Sequence, residues 1–332
     1  MRERTMGRTT RRSVLTGCAL AGMTSLVARP AVAQLPRGPI RILVGTAPGS
    51  GSDLATRILA QKMGDVLGLP VVVDNRTGGG GIVAVQAAAQ APKDGSVLVV
   101  GTATTLIIHP ILNRSVTFNA ERDFAGVSGL IETPFVILTG EREDAPHDMT
   151  DLLGALAESD ANYGSLGVGT FQHLIGESLL EKTRHKATHV PYRGSSPLIT
   201  SLVQGDLLFG VDSIAGSRSA VQSKQVRVLA VTSEKRVPSM PDVPTLSEVL
   251  GDALVVTGWA GVFAPAGSPP ATLEALQAAA LRALGDSATV SRLAPLSLDP
   301  LPLTGAALMA RVRAERPFWA EIIRAANVRI ED

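Results

Sequence analysis

Short apolar runs and helical patterns alternate along this chain, and the alternation limits the folds that it can adopt. The apolar run Ile40–Val44 predicts a buried strand, and 53–67 carries apolar side chains at helical spacing. Further runs at 70–74 and 96–101 predict two more strands, with a helix at 82–91 between them. Strands that alternate with helices favour a parallel sheet with helices on its faces.

A second alternating set of segments begins near residue 134. Its predicted strands cover 134–140, 161–165, 187–193, 206–213 and 226–233, and its predicted helices cover 149–158, 170–181 and 196–203. Two amphipathic helical segments, 269–284 and 305–326, end the chain. Because such helices must cover an apolar surface, we expect them to return to the first sheet.

The chain therefore passes between two αβ units twice. We predict an α/β fold of two αβ domains that close about a hinge on a ligand cleft. Domain 1 is discontinuous and comprises residues 34–136 and 256–332, and domain 2 comprises residues 137–255. Ligands in open α/β sheets bind beyond the carboxyl ends of strands. This rule selects the loops 45–53, 75–81 and 101–105 in domain 1, and 165–173, 193–197 and 212–217 in domain 2.

Residues 1–33 are typical of an export signal. Five arginines precede an uncharged segment, and Ala31-Val32-Ala33 is a small-x-small cleavage pattern. Arg11-Arg12 fits a twin-arginine signal as well as an ordinary basic start, and both readings stay open. An uncleaved anchor and a lipid anchor on Cys18 are the weaker alternatives. We predict a periplasmic protein.

Charge and cysteine content exclude several functions. The export segment holds six of the 31 basic and one of the 30 acidic residues, which leaves 25 basic and 29 acidic residues. A net negative chain lacks the basic footprint of a nucleic-acid-binding protein. Cys18 is the sole cysteine, so the exported chain has no thiol nucleophile or cysteine metal site. If His189 lies in a strand, it is too far from His185 for one metal ion to bind both. We predict neither a metal nor a cofactor.

The loop "GTAPGSGSD", residues 45–53, is the first candidate site. It lacks the phosphate-loop pattern G-x-x-x-x-G-K-[ST] and the G-x-S-x-G pattern of a nucleophilic serine. Its glycines admit a close ligand, its serines add hydroxyls, and a helix N-terminus attracts an anion. Because the loop has no lysine or arginine, a carboxylate fits better than a polyphosphate. A purely structural turn, with Asp53 capping the helix, is the alternative.

Two segments of domain 2 could form the opposite wall. Gly167 and Gly169 precede Thr170 at a second glycine-rich helix start, and His173 lies in its first turn. A buried packing histidine is the alternative for His173. Asp212 ends an apolar strand, where it either accepts hydrogen bonds from a ligand or caps the next segment. Paired catalytic carboxylates and a local Ser-His-Asp set are absent from the sequence, so we do not predict an enzyme.

Several ordered segments carry a resemblance to a known family. They include "PIRILVGTAPGSGSDLATRILAQKM", "VVVDNRTGGGG", "HVPYRGSSPLITSLVQGDL" and "GWAGVFAPAGSPP". Over residues 35–330 the chain closely resembles the periplasmic receptors of tripartite tricarboxylate transporters, the Bug receptors. The resemblance implies a type II periplasmic-binding fold, a small carboxylate ligand and a membrane permease of large and small subunits as partner. It also implies a monomer without catalytic activity.

The resemblance also implies a set of ligand-binding residues. In domain 1 they are Pro48, Gly49, Ser50, Gly51, Ser52, Asp53, Thr102 and Thr104; in domain 2 they are Gly167, Gly169, Thr170, His173, Gly194, Ser195 and Asp212. Ser50 departs from the family pattern A-P-G-G-x-[ST]-D, in which a glycine stands at its position. Phe171 also departs, since small residues are common there, and it could narrow the pocket. A receptor that feeds a sensor kinase and an exported enzyme on the same fold are the alternative functions, and the sequence does not name the ligand.

Overall fold

The computed structural model describes residues 35–113, 116–158, 160–251, 254–325 and 328. The predicted export segment lies outside the described residues. The strands are β1 Ile40–Val44, β2 Val71–Asn75, β3 Val97–Thr102, β4 Phe124–Gly140, β5 Ala161–Ser165, β6 Ala187–Pro191, β7 Phe209–Ser213, β8 Val226–Val231, β9 Thr257–Pro265 and β10 Asp299–Pro300.

The helices connect these strands and cover their faces. They are α1 Gly51–Leu67, α2 Ile82–Ala89, α3 His109–Leu112, α4 Ala120–Asp123, α5 Met149–Glu158, α6 Phe171–Thr183, α7 Ser195–Gln204, α8 Ile214–Gln222, α9 Leu246–Leu250, α10 Pro270–Leu284, α11 Ser287–Leu293 and α12 Gly305–Ala325. None of the described helices combines the length and apolar composition that a bilayer span requires.

One long strand joins two halves of the sheet. The strand order is β2-β1-β3-β9-β4-β7-β5-β6, and β8 and β10 also pair with β4. Residues 124–134 of β4 pair with β9, whereas residues 135–140 pair with β7 and β8. We call β1, β2, β3, β9 and residues 124–134 the first half-sheet, and β5–β8 with residues 135–140 the second. The predicted domain boundary after residue 136 lies close to this change of partners and remains a prediction.

Parallel pairing dominates where the sequence alternates between strands and helices. β1 pairs in parallel with β2 and β3, and β5 pairs in parallel with β6 and β7. Parallel neighbours require crossover helices, which places α1 between β1 and β2 and α6 between β5 and β6. The carboxyl ends of these strands therefore share one edge in each half-sheet.

The two terminal amphipathic helices lie on the first half-sheet. α10 packs against α1 and β4, and α12 packs against β4. Apolar residues of α10 and of β1, including Leu276 and Ile40, belong to one buried cluster. Trp319 of α12 is 2% exposed and belongs to the core on the opposite face.

The structure differs from the sequence prediction in two strands. β4 extends ten residues N-terminal to the predicted start at Pro134, and β9 has no predicted counterpart. Both contain several glycines, and glycine has a low strand propensity. A Cβ on Gly126 would lie 2.4 Å from the carbonyl oxygen of Gly305, and one on Gly261 would lie 2.5 Å from a Leu308 methyl carbon. These glycines permit close packing of α12 and its approach segment on the sheet.

Candidate ligand cleft

Three helices that follow strand ends supply the walls of one cleft. α1 follows β1, α7 follows β6 and α8 follows β7. Their first turns line a cavity of about 520 Å³, within the usual range of small-molecule sites. The lining residues are Thr46, Gly49, Ser50, Gly51, Ser52, Leu54, Ile131, Thr133, Leu166, Ser195, Ser213, Ala215, Gly216, Arg218, Pro295, Leu296 and Leu298. The cleft therefore takes its walls from both half-sheets.

The loop before α1 is held by a buried carboxylate. Gly49 turns the chain with φ of +84°, and its backbone N–H donates to Asp53 Oδ2 at 2.9 Å. Asp53 is 1% exposed and also accepts from Arg57 Nε at 3.0 Å and Asn75 Nδ2 at 2.8 Å. Burial alone would raise the pKa of Asp53, but the bonds from Arg57, Gly49 and Asn75 together lower it. Asp53 thus fixes the loop from behind and does not line the cleft.

The helix starts earlier than predicted because Ser50 caps it. The alternative in which Asp53 caps the helix is wrong: α1 begins at Gly51, and Ser50 Oγ accepts the backbone N–H of Asp53 at 3.3 Å. Ser50 has φ of −67° and ψ of 160°, an extended conformation that any residue adopts. Its departure from the family's glycine therefore introduces no backbone strain and adds a helix cap.

A buried acid lies behind the opposite wall. Asp212 is fully buried and accepts the backbone N–H of Ser213 on Oδ1 at 2.7 Å, whereas its Oδ2 has no hydrogen-bond partner among the described residues. Burial raises the pKa of Asp212 to about 6, against the opposing effect of the Ser195 hydroxyl. A Cβ on Gly216 would lie 2.4 Å from Ser195 Oγ and 2.7 Å from Asp212 Oδ1. Asp212 therefore lies directly behind the wall formed by Ser195 and Gly216.

Arg218 is a cleft residue that the sequence analysis did not identify. It is half-buried on α8 and is the single charged side chain among the described lining residues. Its position could have identified it, because it lies five residues after Ser213, and Ser213 caps the helix at the carboxyl end of β7. The predicted loop 212–217 ends one residue before it.

Thr102 and Thr104 do not reach this cleft. Thr102 ends β3, and its Oγ1 lies 3.3 Å from Thr105 Oγ1 and accepts the Thr105 backbone N–H at 3.2 Å. Thr104 begins a π-helical turn that runs to Ile108. In the structure Thr102 stabilises the turn after β3, and neither threonine belongs to the cleft wall.

The second glycine-rich helix start holds a buried histidine. Thr170 caps α6, and the backbone N–H of Gly169 donates to His173 Nδ1 at 3.1 Å. The His173 ring is stacked on His189, with ring centroids 3.9 Å apart. Burial, and secondarily His189, lowers the pKa of His173 to about 3. His173 is therefore buried by packing, as in the alternative given for it above. Of the predicted loop 165–173, only Leu166 lines the cleft.

The structure thus brings together part of the predicted set. Five predicted residues line the cleft: Gly49, Ser50, Gly51, Ser52 and Ser195. Asp53 and Asp212 lie behind its two walls. Pro48, Thr102, Thr104, Gly167, Gly169, Thr170, His173 and Gly194 are not among the lining residues, although Pro48 and Gly194 are direct neighbours of residues that are.

Comparison with a family model shows which protein family the chain belongs to. The model described as the tripartite tricarboxylate transporter family receptor matches residues 55–328. The chain belongs to this receptor family. A protein from the tcbD-tcbE intergenic region of Pseudomonas sp. is 34% identical over 316 residues, which cover 94% of each chain.

Solved structures confirm the predicted fold of this receptor. The periplasmic binding protein BugD is 28% identical with a TM-score of 0.78, and the match covers 89% of this chain and 100% of BugD. MatC from Rhodopseudomonas palustris with bound malate is 27% identical with a TM-score of 0.76. This match covers 87% of this chain and 100% of MatC. The receptor is therefore a periplasmic solute-binding protein of the Bug type, and its family and neighbours are receptors rather than enzymes.

A larger groove lies elsewhere on the receptor. It has a volume of about 730 Å³ and is lined by residues that include Asp160, Glu177, Glu181 and Thr188. Asp160 precedes β5 and Thr188 lies at the start of β6, so the groove lies at the amino ends of these strands. Ligands of open α/β sheets bind at the opposite end. The smaller cleft is therefore the better candidate for the solute site.

Proposed function

We propose that this receptor binds a small carboxylate in the cleft lined by the first turns of α1, α7 and α8. The observation that carries the proposal is the chemistry of the lining. Six hydroxyl-bearing residues face the cavity, namely Thr46, Ser50, Ser52, Thr133, Ser195 and Ser213, and no acidic side chain is among the described lining residues. Hydroxyls and helix N-termini together stabilise an anion without a metal ion.

The relationship to MatC supports this ligand class. MatC is 27% identical to the receptor, and its solved structure contains bound malate, a dicarboxylate. The cleft of this receptor also has an apolar portion, which includes Leu54, Ile131 and Leu298. Such a lining suits an acid with a short hydrocarbon body.

Binding is proposed to close the two half-sheets about the carboxylate. The chain crosses between them at residues 134–135 of β4 and again at residues 256–257, before β9. A ligand that contacts both walls stabilises the closed arrangement more than the open one and shifts the population toward it. Delivery of the ligand to a membrane permease of large and small subunits is part of the same proposal, with the closed form as the state that the permease recognises.

Thermal unfolding of the purified receptor tests the ligand class. Malate is compared with malamide, which has the same skeleton but no negative charge. At 100 times its dissociation constant, a ligand stabilises the folded state by about 2.7 kcal/mol. We expect malate or another small carboxylate to raise Tm and the matched amide to leave it unchanged. Equal shifts with the neutral amides, or no shift across a carboxylate panel, would contradict the proposal.

Transport tests the proposed partner separately. In cells that express the receptor with its permease, uptake of the labelled carboxylate is expected to require the receptor. If the receptor binds the carboxylate but uptake is unchanged in its absence, the ligand class stands and delivery to the permease does not.

A further inference from the structure

Arg218 is a cation in the cleft whose charge has no partner among the described residues. Other half-buried arginines are neutralised; for example, Arg227 pairs with Glu141, and Arg311 pairs with Glu132 and Glu315 at 2.7 Å each. Arg218 has neither an ion pair nor a hydrogen bond within the described part of the chain. A partly desolvated guanidinium without an anion is unfavourable unless a ligand supplies one.

The acid nearest to Arg218 in sequence is not its partner. Asp212 is fully buried at the end of β7, and its Oδ1 accepts the Ser213 backbone N–H. Ser195 and Gly216 lie between this carboxyl group and the cavity, as the short distances to a Gly216 Cβ indicate. The cavity side of α8 therefore presents a positive charge, while the negative charge of Asp212 lies behind the wall.

The opposite wall already accounts for one carboxylate of a ligand. The N-terminus of α1, with the hydroxyl of Ser52, forms an anion site without a charged side chain. Between this wall and α8 the lining includes apolar residues such as Leu54 and Leu298. The lining is thus suited to a ligand with anionic groups at both ends and hydrocarbon between them.

We propose that Arg218 is a specificity-determining residue: its guanidinium binds a second anionic group of the ligand, so that the receptor selects dianionic acids over monocarboxylates of the same length. This inference rests on the proposed function, because it requires a carboxylate in the cleft. Arginine suits the role, since its planar fork donates two parallel N–H···O bonds to one carboxylate. Ser213, which caps α8, is the neighbouring hydroxyl on the same wall.

Matched pairs of acids test the selection by isothermal titration calorimetry. Succinate is compared with butyrate, and adipate with hexanoate, because each pair differs only in the second carboxylate. The variants are Arg218→Gln, which removes the charge, and Arg218→Lys, which keeps the charge but not the fork. Arg282→Gln is the control, since it removes an exposed charge from α10, away from the cleft.

For Arg218→Gln we expect about a ten- to hundredfold loss of affinity for the better-binding dicarboxylate, the range for a charged hydrogen-bonded pair. Affinity for the monocarboxylate is expected to stay within about twofold of wild type, and Arg218→Lys to show a smaller loss. Tm without ligand is expected to be equal to or higher than that of wild type, because Arg218 has no described partner to lose and its unpaired charge is partly desolvated. The Arg282→Gln control is expected to bind both acids as wild type does.

Each other outcome overturns the inference in a distinguishable way. Equal losses for both acids of a pair would assign Arg218 to general anion binding rather than selection. Unchanged affinity for the dicarboxylate would remove Arg218 from the site while leaving the proposed function intact. If the wild-type receptor binds none of the four acids and no carboxylate of the panel shifts its Tm, the proposed function is overturned, and the role of Arg218 with it.

Discussion

Ser50 and Ser52 stand two residues apart in one loop, yet their hydroxyls have different surroundings. Ser50 Oγ caps α1 and lies 2.6 Å from Thr46 Oγ1. The Ser52 hydroxyl lines the cleft and has no hydrogen-bond partner among the described residues. One hydroxyl therefore stabilises the protein, and the other is available to a ligand.

Alanine substitutions are expected to separate these two roles. Ser50→Ala should lower the free energy of unfolding by about 1 kcal/mol, the usual cost of losing an N-cap. Ser52→Ala should change it by less than about 0.5 kcal/mol. Ser52→Ala should nevertheless weaken carboxylate binding by about 1 kcal/mol, the net value of one hydrogen bond. Urea denaturation and calorimetry measure the two quantities; unchanged affinity in Ser52→Ala would make Ser52 a structural residue only.

The buried Asp212 makes stability depend on pH. Its folded-state pKa is raised to about 6 from an ordinary value of 3.8, because burial disfavours the charged form. Its contribution to stability is therefore fully present below about pH 4 and is lost as the pH rises through about 6. A difference of about two pKa units corresponds to about 3 kcal/mol.

Asp212→Asn should remove this dependence. The amide oxygen can keep the bond from the Ser213 N–H, and the side chain no longer titrates. The variant is expected to gain stability relative to wild type as the pH rises from 4 to 7, as followed by urea denaturation without ligand. A constant difference between the two proteins across this range would show that Asp212 does not titrate there.

At the residue scale the sequence identified one side of the cleft better than the other. The loop 49–52 was predicted from its glycines and serines, because a strand-to-helix connection has a recognisable composition. Arg218 was not, because a lone arginine on a helix has no motif and only the fold brings it into a cavity. His173 was assigned from its place in a first turn, and the sequence does not reveal the ring of His189 that covers it.

At the element scale, Thr232 forms hydrogen bonds with both segments in which the chain passes between the half-sheets. The Phe135 backbone N–H donates to Thr232 Oγ1 at 2.9 Å, and this hydroxyl donates to the Val256 carbonyl oxygen at 2.5 Å. Phe135 lies where β4 changes partners, and Val256 directly precedes β9. One fully buried side chain therefore fixes the spacing of the two segments that connect the half-sheets.

Thr232→Val, which keeps the shape but removes the hydroxyl, should destabilise the receptor. It leaves two buried backbone groups without their side-chain bond, so we expect a loss of about 1–3 kcal/mol. Thr188→Val is the matched control, because Thr188 is exposed on β6 and has no described side-chain bond. Equal urea midpoints for wild type and Thr232→Val would contradict the role assigned to this hydroxyl.

The sequence predicts an element well when neighbouring residues define it, and poorly when distant contacts do. β1, α5 and β5 have the predicted bounds, because apolar periodicity and flanking polar residues define them locally. The first part of β4 and all of β9 are not predicted from the sequence. Their glycines allow α12 to pack closely on these strands, and α12 lies far away in the sequence. Such tertiary contacts override the low strand propensity of glycine.

On the scale of the whole molecule, the strand order explains why the cleft lies where it does. Parallel strands in each half-sheet place the starts of α1, α7 and α8 at strand carboxyl ends, and β4 joins the halves so that these ends share a cavity. The family relationship makes the chain a periplasmic solute receptor, and the proposed negative charge of the solute rests on the hydroxyl-rich lining. The central claim is that the carboxylate lies between the N-terminus of α1 and the wall formed by α7 and α8.

A crystal structure of the receptor grown with its tightest-binding carboxylate tests this claim most directly. We predict one carboxylate of the ligand within hydrogen-bonding distance of the Ser52 hydroxyl or the backbone N–H groups of residues 49–52, with Ser195 or Ser213 on its other side. A ligand found instead in the groove beside Glu177 and Glu181, with the cleft of α1, α7 and α8 holding only water, would contradict it.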